Sequence, residues 1–274
     1  MRLQIISDIH LEFRDNRYPY IPQLASNITL LGDIGRPFSA VYARFIRDCS
    51  KRFRNVIVLA GNHEYYSTTR RKMTVGEIRE KIREVCSQYN NVHFLDDSVV
   101  FIDGVRILGS TLWTFIPAEM WTYGMKTQND YHMSYIGKYG DINVGVPLAP
   151  GHTTHWHENT VKWLKEELAA PGYANTPTVI LTHHAPYHLG TSDPKYEKHF
   201  DQCFYSTDIS VLFKSPVLAW AYGHTHYPAD ITVKGVRLVS NPLGYPGELG
   251  ADYEKNAIDH PPIISMVPRK PPGL

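Results

Sequence analysis

The chain has 274 residues and a mass of 31.3 kDa, which is enough for one large domain with a substantial core. Its 43% hydrophobic and 20% charged residues exclude a disordered or fibrous protein. With 28 basic and 27 acidic residues, the net charge of +1 creates no overall field that attracts nucleic acid or an anionic membrane, so any phosphate recognition must be local.

The predicted elements alternate between short β-branched strands and amphipathic helices. In chain order, we predict strands at 3–7 and 27–31, a helix at 38–52, a strand at 55–60, a helix at 77–89, strands at 92–95, 99–102 and 105–109, a helix at 157–168, and strands at 178–181, 217–221, 230–233 and 236–239. The turn dipeptides Asp103-Gly104 and Lys234-Gly235 predict two hairpins. This alternation favours the α/β class.

We predict a single domain over residues 1–259, because neither an internal repeat nor a linker-like change of composition interrupts it. Residues 111–157 lack clear periodicity and are rich in aromatic residues, as lids and binding inserts often are. These aromatic residues either cap a site and stack on a flat group, or complete a core or a homodimer interface. Residues 260–274 are rich in proline, which predicts an extended or loose tail.

Other global features favour a cytoplasmic protein that does not associate with membranes. The three cysteines lack CxxC spacing and indicate free thiols in a reducing compartment. The N-terminal segment has one charge and soon reaches Ser7-Asp8, unlike a signal peptide. The longest apolar stretches have only the length of a strand.

Each major predicted strand ends in a cluster of residues that can bind a metal ion. These clusters are Asp8-x-His10, Gly32-Asp33, Gly61-Asn62-His63, His183-His184 and His224-x-His226. Ligands in α/β sheets bind at the carboxyl ends of strands, so we expect the clusters to converge. One such cluster alone is usually a turn or a cap, whereas five in order predict a site. Carboxylate, amide and imidazole groups without thiolate suit Mn, Fe, Zn or Co in an open catalytic centre.

The ordered set resembles the calcineurin-like metallophosphoesterase superfamily, in its soluble bacterial or phage type. The resemblance covers residues 3 to about 245 and includes His183-His184-Ala185-Pro186 and Asn241-Pro242-x-Gly244-Tyr245-Pro246. It implies a four-layer α-β-β-α sandwich, in which helices flank two mixed β-sheets. It also implies a centre of two divalent metal ions, whose identity (Mn, Fe, Zn or Co) the ligand types leave open.

The resemblance also assigns roles to residues of this chain. It implies that Asp8, His10 and His226 hold one ion, that Asn62, His183 and His224 hold the other, and that Asp33 bridges both. It implies that His63 is the catalytic histidine, which stabilises the phosphoryl oxygens or protonates the leaving alkoxide; an orienting role is the alternative. As possible substrate contacts, we add Arg36, His184 and Tyr131.

One departure from the superfamily narrows the function. Protein Ser/Thr phosphatases carry Gly-Asp-x-x-Asp-Arg-Gly, in which the second Asp pairs with the catalytic histidine. This chain reads Gly32-Asp33-Ile34-Gly35-Arg36, so the acidic position is occupied by Arg36. A protein phosphatase is therefore disfavoured, and any acidic partner of His63 must come from elsewhere in the chain.

The sequence predicts a hydrolase that depends on two metal ions. Two cations about 3.5–4 Å apart neutralise a phosphate ester and acidify a bridging water, whose hydroxide attacks phosphorus in line. We favour a phosphodiesterase acting on a small or nucleotide-like substrate. The alternatives are a phosphomonoesterase or nuclease of the same superfamily, or a scaffold without catalysis. Extended nucleic acid is disfavoured as a partner, because no long basic stripe is present.

Overall fold

The computed structural model describes residues 1–15, 17–68, 72–139 and 144–266. Within these ranges the strands are β1 (Arg2–Ile6), β2 (Asn27–Leu31), β3 (Asn55–Leu59), β4 (Val92–Phe94), β5 (Ser98–Ile102), β6 (Val105–Ser110), β7 (Tyr135–Tyr139), β8 (Val144–Pro147), β9 (Thr178–Thr182), β10 (Val217–Tyr222), β11 (Ala229–Val233), β12 (Val236–Ser240) and β13 (Ile263–Ser265). The α-helices are α1 (Ala40–Arg52), α2 (Val75–Ser87), α3 (Trp121–Thr127), α4 (Asn129–Met133), α5 (Pro150–Ala169) and α6 (Ala251–Asp259).

The strands form two mixed sheets and one separate hairpin. The first sheet has the order β13-β1-β2-β3-β4, and only β13 runs antiparallel to its neighbour. The second has the order β11-β12-β10-β9-β6-β5, with antiparallel strands at both edges. The two predicted hairpin turns are confirmed: both residues of Asp103-Gly104 and of Lys234-Gly235 have positive φ, as a type I′ turn requires.

The two sheets pack face to face, and helices cover their outer faces. Along β3, Ile57 packs in the cluster between the sheets, whereas its neighbour Val56 packs in the cluster that includes α1 and α2. Along β10, Ala221 faces the first sheet and Trp220 belongs to the outer cluster with Leu164 of α5. This alternation produces the predicted α-β-β-α sandwich with two mixed sheets.

The helix starts depend on caps that the sequence shows only in part. Helix α1 begins after Ser39, whose hydroxyl accepts the Tyr42 amide, and α2 begins with a capping box between Thr74 and Glu77. Both helices were predicted within two residues of their ends. The predicted start of α5 at residue 157 is wrong, because the helix begins at Pro150. Its first turns bury threonine and histidine rather than the apolar residues on which periodicity depends.

Residues 111–157 are more regular than the sequence indicates. They include α3, α4, the β7–β8 hairpin and the first turns of α5, while residues 140–143 lie outside the described residues. Trp113 is buried, with its ring centroid 5.8 Å from that of Trp156. Tyr131 is also buried, and its hydroxyl lies 3.1 Å from that of Thr153. For these residues, packing in the core is the interpretation that the structure favours.

The chain returns to the first sheet after α6. Strand β13 pairs with β1, and the amino group of Met1 donates to the carbonyl of Met266 at 2.7 Å. The first residues of the predicted loose tail are therefore part of the sheet, and residues 267–274 lie outside the described residues. The domain boundary at residue 259 stays a prediction. In the described part of the chain, no helix is both long and apolar enough to cross a membrane.

Candidate metal centre

The predicted ligands follow the carboxyl ends of five parallel strands. Asp8, Asp33 and Asn62 come two or three residues after β1, β2 and β3, and His183 and His224 come one or two residues after β9 and β10. The loops after these strands meet at one edge of the sandwich. The convergence that the sequence predicts is therefore present in the structure.

The donor atoms of the predicted ligands fall into two groups that share Asp33. Within each group, every donor atom lies within 4.8 Å of the others. The first group consists of Asp8, His10, Asp33 and His226, and the second contains Asp33, His183 and His224. Asn62 joins the second group, because its Oδ1 lies 3.0 Å from Nε2 of His183. All seven predicted ligands thus lie together, with Asp33 between the two groups.

The backbone at this site is held in an uncommon conformation. Five of the seven residues have left-handed φ values between 47° and 68°: Asp8, His10, Asp33, His224 and His226. This region costs a residue with a side chain on the order of 1 kcal/mol, and it persists only where the surroundings impose it. Such strain is concentrated at functional sites in proteins.

Glycine allows the ends of neighbouring strands to approach closely. A Cβ atom on Gly61 would lie 2.6 Å from Cε1 of His183 and 2.6 Å from the backbone nitrogen of Asp33. Real Cβ atoms do not approach other atoms this closely, so any larger residue at position 61 would displace two predicted ligands.

A buried carboxylate beneath the site joins the loops after β2 and β3. Glu64 accepts four backbone hydrogen bonds, from Gly61 at 2.7 Å, Asp33 at 2.9 Å, Ile34 at 2.7 Å and Gly35 at 3.2 Å. Burial raises the pKa of Glu64 to about 7, and the amide donors oppose that rise. Sequence reasoning gave this residue no role, although it directly follows the cluster Gly61-Asn62-His63.

The hydrogen bonds of the first group leave lone pairs that face one another. Nδ1 of His10 lies 3.1 Å from Oε1 of Glu12, and Nδ1 of His226 lies 2.6 Å from Oε2 of Glu248. Since these Nδ1 atoms donate to carboxylates, both Nε2 atoms carry lone pairs, and they lie only 3.1 Å apart. Oδ1 of Asp8 is 3.6 Å from Nε2 of His226. This convergence of lone pairs fits a bound cation.

The second group, around His183 and His224, also presents ring nitrogens that carry lone pairs. Nδ1 of His183 donates to the Leu31 carbonyl at 2.8 Å, which leaves Nε2 as an acceptor beside Asn62. Burial lowers the pKa of His183 to about 4, so the ring is neutral at pH 7. His224 points Nε2 toward the Phe204 carbonyl at 3.3 Å, which leaves Nδ1 free to bind a metal ion. Neutral imidazole is the form that binds metal ions.

The charge of the buried carboxylates also fits a cation. Burial raises the pKa of Asp33 well above its ordinary value, and the charges of Glu64 and Asp8 raise it further. Buried charges of one sign are costly unless an opposite charge lies among them. Bound divalent ions would supply that charge, so the residues present suit the metal centre that the resemblance implies.

His63 lies beside this centre. Its backbone nitrogen donates to Oδ1 of Asp33 at 2.9 Å, its Nδ1 is 3.0 Å from Oε1 of Glu12, and its Nε2 is 3.2 Å from the hydroxyl of Tyr245. Sequence reasoning missed both Glu12 and Tyr245 as neighbours of His63. The only signals in the sequence were that Glu12 lies two positions after His10 and that Tyr245 belongs to the motif Asn241-Pro242-x-Gly244-Tyr245-Pro246.

A cavity of about 480 Å³ opens beside the predicted ligands, and Asp33, Asn62, His63, His224 and His226 line it. We call the seven predicted ligands and His63 the floor; Asp8, His10 and His183 are its fully buried members. The remaining lining residues form the cavity wall, which includes Tyr66, Gln128, Asp130, Tyr196, Asp201, Tyr205, Tyr245 and Glu248. Among the described residues of the insert at 111–157, only 127–130 reach the wall, and the tyrosine rings named here come from other segments.

The three predicted substrate contacts are not brought to this cavity in the described structure. Arg36 donates to the Thr68 hydroxyl at 2.7 Å and lies outside the wall. His184 is buried behind the floor, where its ring centroid is 4.1 Å from that of His224. Tyr131 packs in the core, as described above. The neighbour of Tyr131, Asp130, lines the wall instead.

Comparison with known proteins identifies the class. A family model for calcineurin-like phosphoesterases matches residues 1–228. The chain therefore belongs to this family and is a metal-dependent phosphoester hydrolase.

Three individual relatives are each less than 30% identical to this chain. An uncharacterized protein of Acanthamoeba polyphaga mimivirus is 28% identical over 263 residues, which cover 90% of this chain and 92% of that protein. An acid phosphatase of Aspergillus ficuum is 26% identical over 165 residues, covering 57% of this chain but only 24% of that enzyme. The solved structure of a phosphopantetheinyl hydrolase from Mycobacterium tuberculosis superposes with a TM-score of 0.67 at 18% identity, over 99% of this chain and 98% of that one. At this identity the likeness concerns the fold.

Proposed function

We propose that the protein is a phosphodiesterase that uses two divalent metal ions and acts on a small substrate with a flat, nucleotide-like group. The observation that carries this proposal is the pair of donor groups that share Asp33 at the floor of an open cavity. A shared carboxylate is what a pair of closely spaced ions requires.

Seven residues hold the ions in this proposal. Asp8, His10 and His226 bind one ion, Asn62, His183 and His224 bind the other, and Asp33 binds both. When bound, the ions neutralise the charge of the phosphate and increase the acidity of water. The oxygen and nitrogen ligands suit manganese, iron, zinc or cobalt, and we propose manganese as the first ion to test.

His63 has a position from which it can hold or move a proton. Its Nδ1 faces the carboxylate of Glu12, so its Nε2 is directed toward the cavity and Tyr245. From there a protonated ring donates to a phosphoryl oxygen or to the leaving oxygen.

The cavity wall favours a diester over a more highly charged monoester. Asp201 and Glu248 line the cavity together with Asp130, and these carboxylates repel any further anionic group of a substrate. Tyr196 and Tyr205 are 57% and 38% exposed and offer faces on which a flat group can stack. A diester has a single negative charge and a second substituent, and it suits this combination.

The same wall disfavours a nuclease. Among the described residues that line the cavity, none is a lysine or arginine, whereas tracking a nucleic-acid backbone requires several. We also propose a cytoplasmic location, which the free cysteines Cys49, Cys86 and Cys203 support. Homodimer formation stays a prediction from the sequence.

The test compares two esters under metal control. Metal-stripped protein receives Mn²⁺, Fe²⁺, Zn²⁺ or Co²⁺ singly and is assayed with bis-p-nitrophenyl phosphate and with p-nitrophenyl phosphate. We expect metal-dependent turnover with preference for the diester, and a loss of at least about 10³-fold in Asp33→Asn. Asp252→Asn, an exposed change on α6, serves as the matched control. Turnover of the monoester alone would assign the protein to the monoesterases, and no turnover with any ion would contradict the proposal.

A further inference from the structure

We infer that Glu12 is a positioning residue that orients the metal ligand His10 and the proposed catalytic His63 through a single carboxylate oxygen. The inference rests on the roles given to His10 and His63 in the proposed function. Neither the family match nor the sequence motifs assign a role to Glu12.

The geometry places one acceptor between two donors. Oε1 of Glu12 lies 3.1 Å from Nδ1 of His10 and 3.0 Å from Nδ1 of His63. The side chain of Glu12 is only 5% exposed. The two imidazole rings lie nearly edge to face, with centroids 4.6 Å apart. Glu12 belongs to the 3-10 turn Leu11–Phe13 that follows His10 directly, so the backbone holds the carboxylate under both rings.

This arrangement determines which nitrogen each ring presents. Because both Nδ1–H groups donate to Glu12, both Nε2 atoms face away from it. Nε2 of His10 is thereby directed to the donor group that contains His226, and Nε2 of His63 is directed to the cavity near Tyr245. A ring rotated by half a turn would present carbon atoms or the wrong nitrogen to the metal or the substrate.

The hydrogen bonding of Glu12 is devoted to these histidines. Its Oε2 is buried without a hydrogen-bond partner among the described residues, which is costly for a carboxylate that serves packing alone. Its other oxygen, Oε1, is the atom on which the two Nδ1 atoms converge, at 3.1 and 3.0 Å.

Glu12 also accounts for the departure at Arg36. In the protein phosphatases that the Gly-Asp motif resembles, an acid in that segment supports the catalytic histidine. Here Arg36 points to Thr68, and the acid bonded to His63 comes from the loop after β1. In this chain the acid that supports His63 is therefore shared with His10.

The test uses Glu12→Gln, which preserves size and removes the charge. In metal-free protein labelled with ¹⁵N-histidine, we expect the signals of His10 and His63 to show the proton on Nδ1 in the wild type. In the variant, we expect a mixture of the Nδ1–H and Nε2–H tautomers. We expect the dissociation constant for Mn²⁺ to increase about 10–100-fold. Glu166→Gln, an exposed change on α5, is the matched control and should leave both unchanged.

Leaving-group dependence separates positioning from a merely structural role. At saturating Mn²⁺, we compare diphenyl phosphate with bis-p-nitrophenyl phosphate, which share a diaryl phosphate core but differ in how much the leaving oxygen needs a proton. Glu12→Gln should lose about 100-fold on the first ester and about 10-fold on the second, because His63 is misplaced. In a His63→Ala background, the same change should reduce hydrolysis of diphenyl phosphate less than about 3-fold.

Several outcomes overturn the inference. Unchanged histidine signals, wild-type Mn²⁺ affinity, or equal losses on both esters would each contradict it. If the wild type hydrolyses neither ester, the proposed function fails, while the histidine signals and Mn²⁺ affinity still decide the role of Glu12. Should Glu12→Gln not fold, Glu12→Asp replaces it: the shorter carboxylate should release at least one ring, and retention of both Nδ1–H signals would refute the inference.

Discussion

The floor and the wall of the cavity are built in different ways. Floor residues follow strand ends directly and are held by hydrogen bonds to backbone or carboxylates, as His183 is by Leu31 and His226 by Glu248. Wall residues such as Tyr196 and Tyr205 lie in a loop and are partly exposed. The difference indicates that the scaffold positions the chemistry rigidly, whereas loops decide which substrate fits. Changes in the floor should therefore abolish turnover, and changes in the wall should mainly alter substrate affinity.

The largest effect is expected where the floor has no spare volume. Gly61→Ala would place a methyl group against Asp33 and His183, so we expect loss of metal binding and a decrease in turnover of more than about 10³-fold. Metal content by plasma mass spectrometry and diester hydrolysis measure this. Gly172→Ala is the control, because a Cβ atom there meets nothing within 4 Å. A Gly61→Ala protein that retains its metal ions would show that the floor is less rigid than we infer.

A smaller effect is expected where the wall touches the floor. Asp130 lines the wall, yet its Oδ1 accepts the Asn62 amide at 2.9 Å and the Tyr66 hydroxyl at 2.6 Å. Asp130→Asn should lower kcat/KM about 10–100-fold, because a neutral amide oxygen accepts the Asn62 amide more weakly than the carboxylate does and orients it less well. Asp201→Asn changes the same wall without a contact to Asn62 and should lower kcat/KM less than about 3-fold. Equal losses in the two variants would erase the distinction between floor and wall.

Acid should weaken the support of the insert that carries Asp130. Nδ1 of His157 donates to the backbone carbonyls of Leu112 and Trp113, and burial lowers the pKa of His157 to about 4. The unfolded chain, with an ordinary pKa near 6.5, binds the proton more readily, so this contribution is complete above pH 6.5 and decreases as the pH falls toward 4. At pH 5 this lowers the free energy of unfolding by about 2 kcal/mol. Urea unfolding at pH 7 and pH 5 should show a smaller decrease in the free energy of unfolding in His157→Gln than in the wild type. An identical decrease in the two proteins would refute the assignment to His157.

The smallest effect is expected at the outer wall. Tyr196→Ala removes one exposed stacking face and should raise KM for an aromatic diester about 3–10-fold, with kcat changed less than about 2-fold. Tyr20→Ala alters a tyrosine of similar exposure outside the cavity and should change neither constant. A decrease in kcat at unchanged KM would indicate that Tyr196 acts on the chemical step.

The residues of the floor were predictable from the sequence, whereas the insert at 111–157 was not. Strand ends and their clusters were predictable, because alternation with a period of two and glycine before Asp33, Asn62 and His224 are visible in the sequence. The insert at 111–157 was not predictable, because its helices α3 and α4 are short and have mixed polarity. Trp113 and Tyr131 illustrate the limit: composition alone does not separate a core aromatic residue from one that lines a cavity.

The sequence by itself determined the α/β class, the five clusters and their order, because each is a local pattern of residues next to a predicted strand. Only the tertiary structure decided which residues support those clusters. Glu12, Glu64 and Glu248 each bond to a cluster that follows a different strand, and the tyrosines of the wall come from segments far apart in the chain. Such contacts depend on the distance between loops after folding, and no spacing along the sequence encodes that distance.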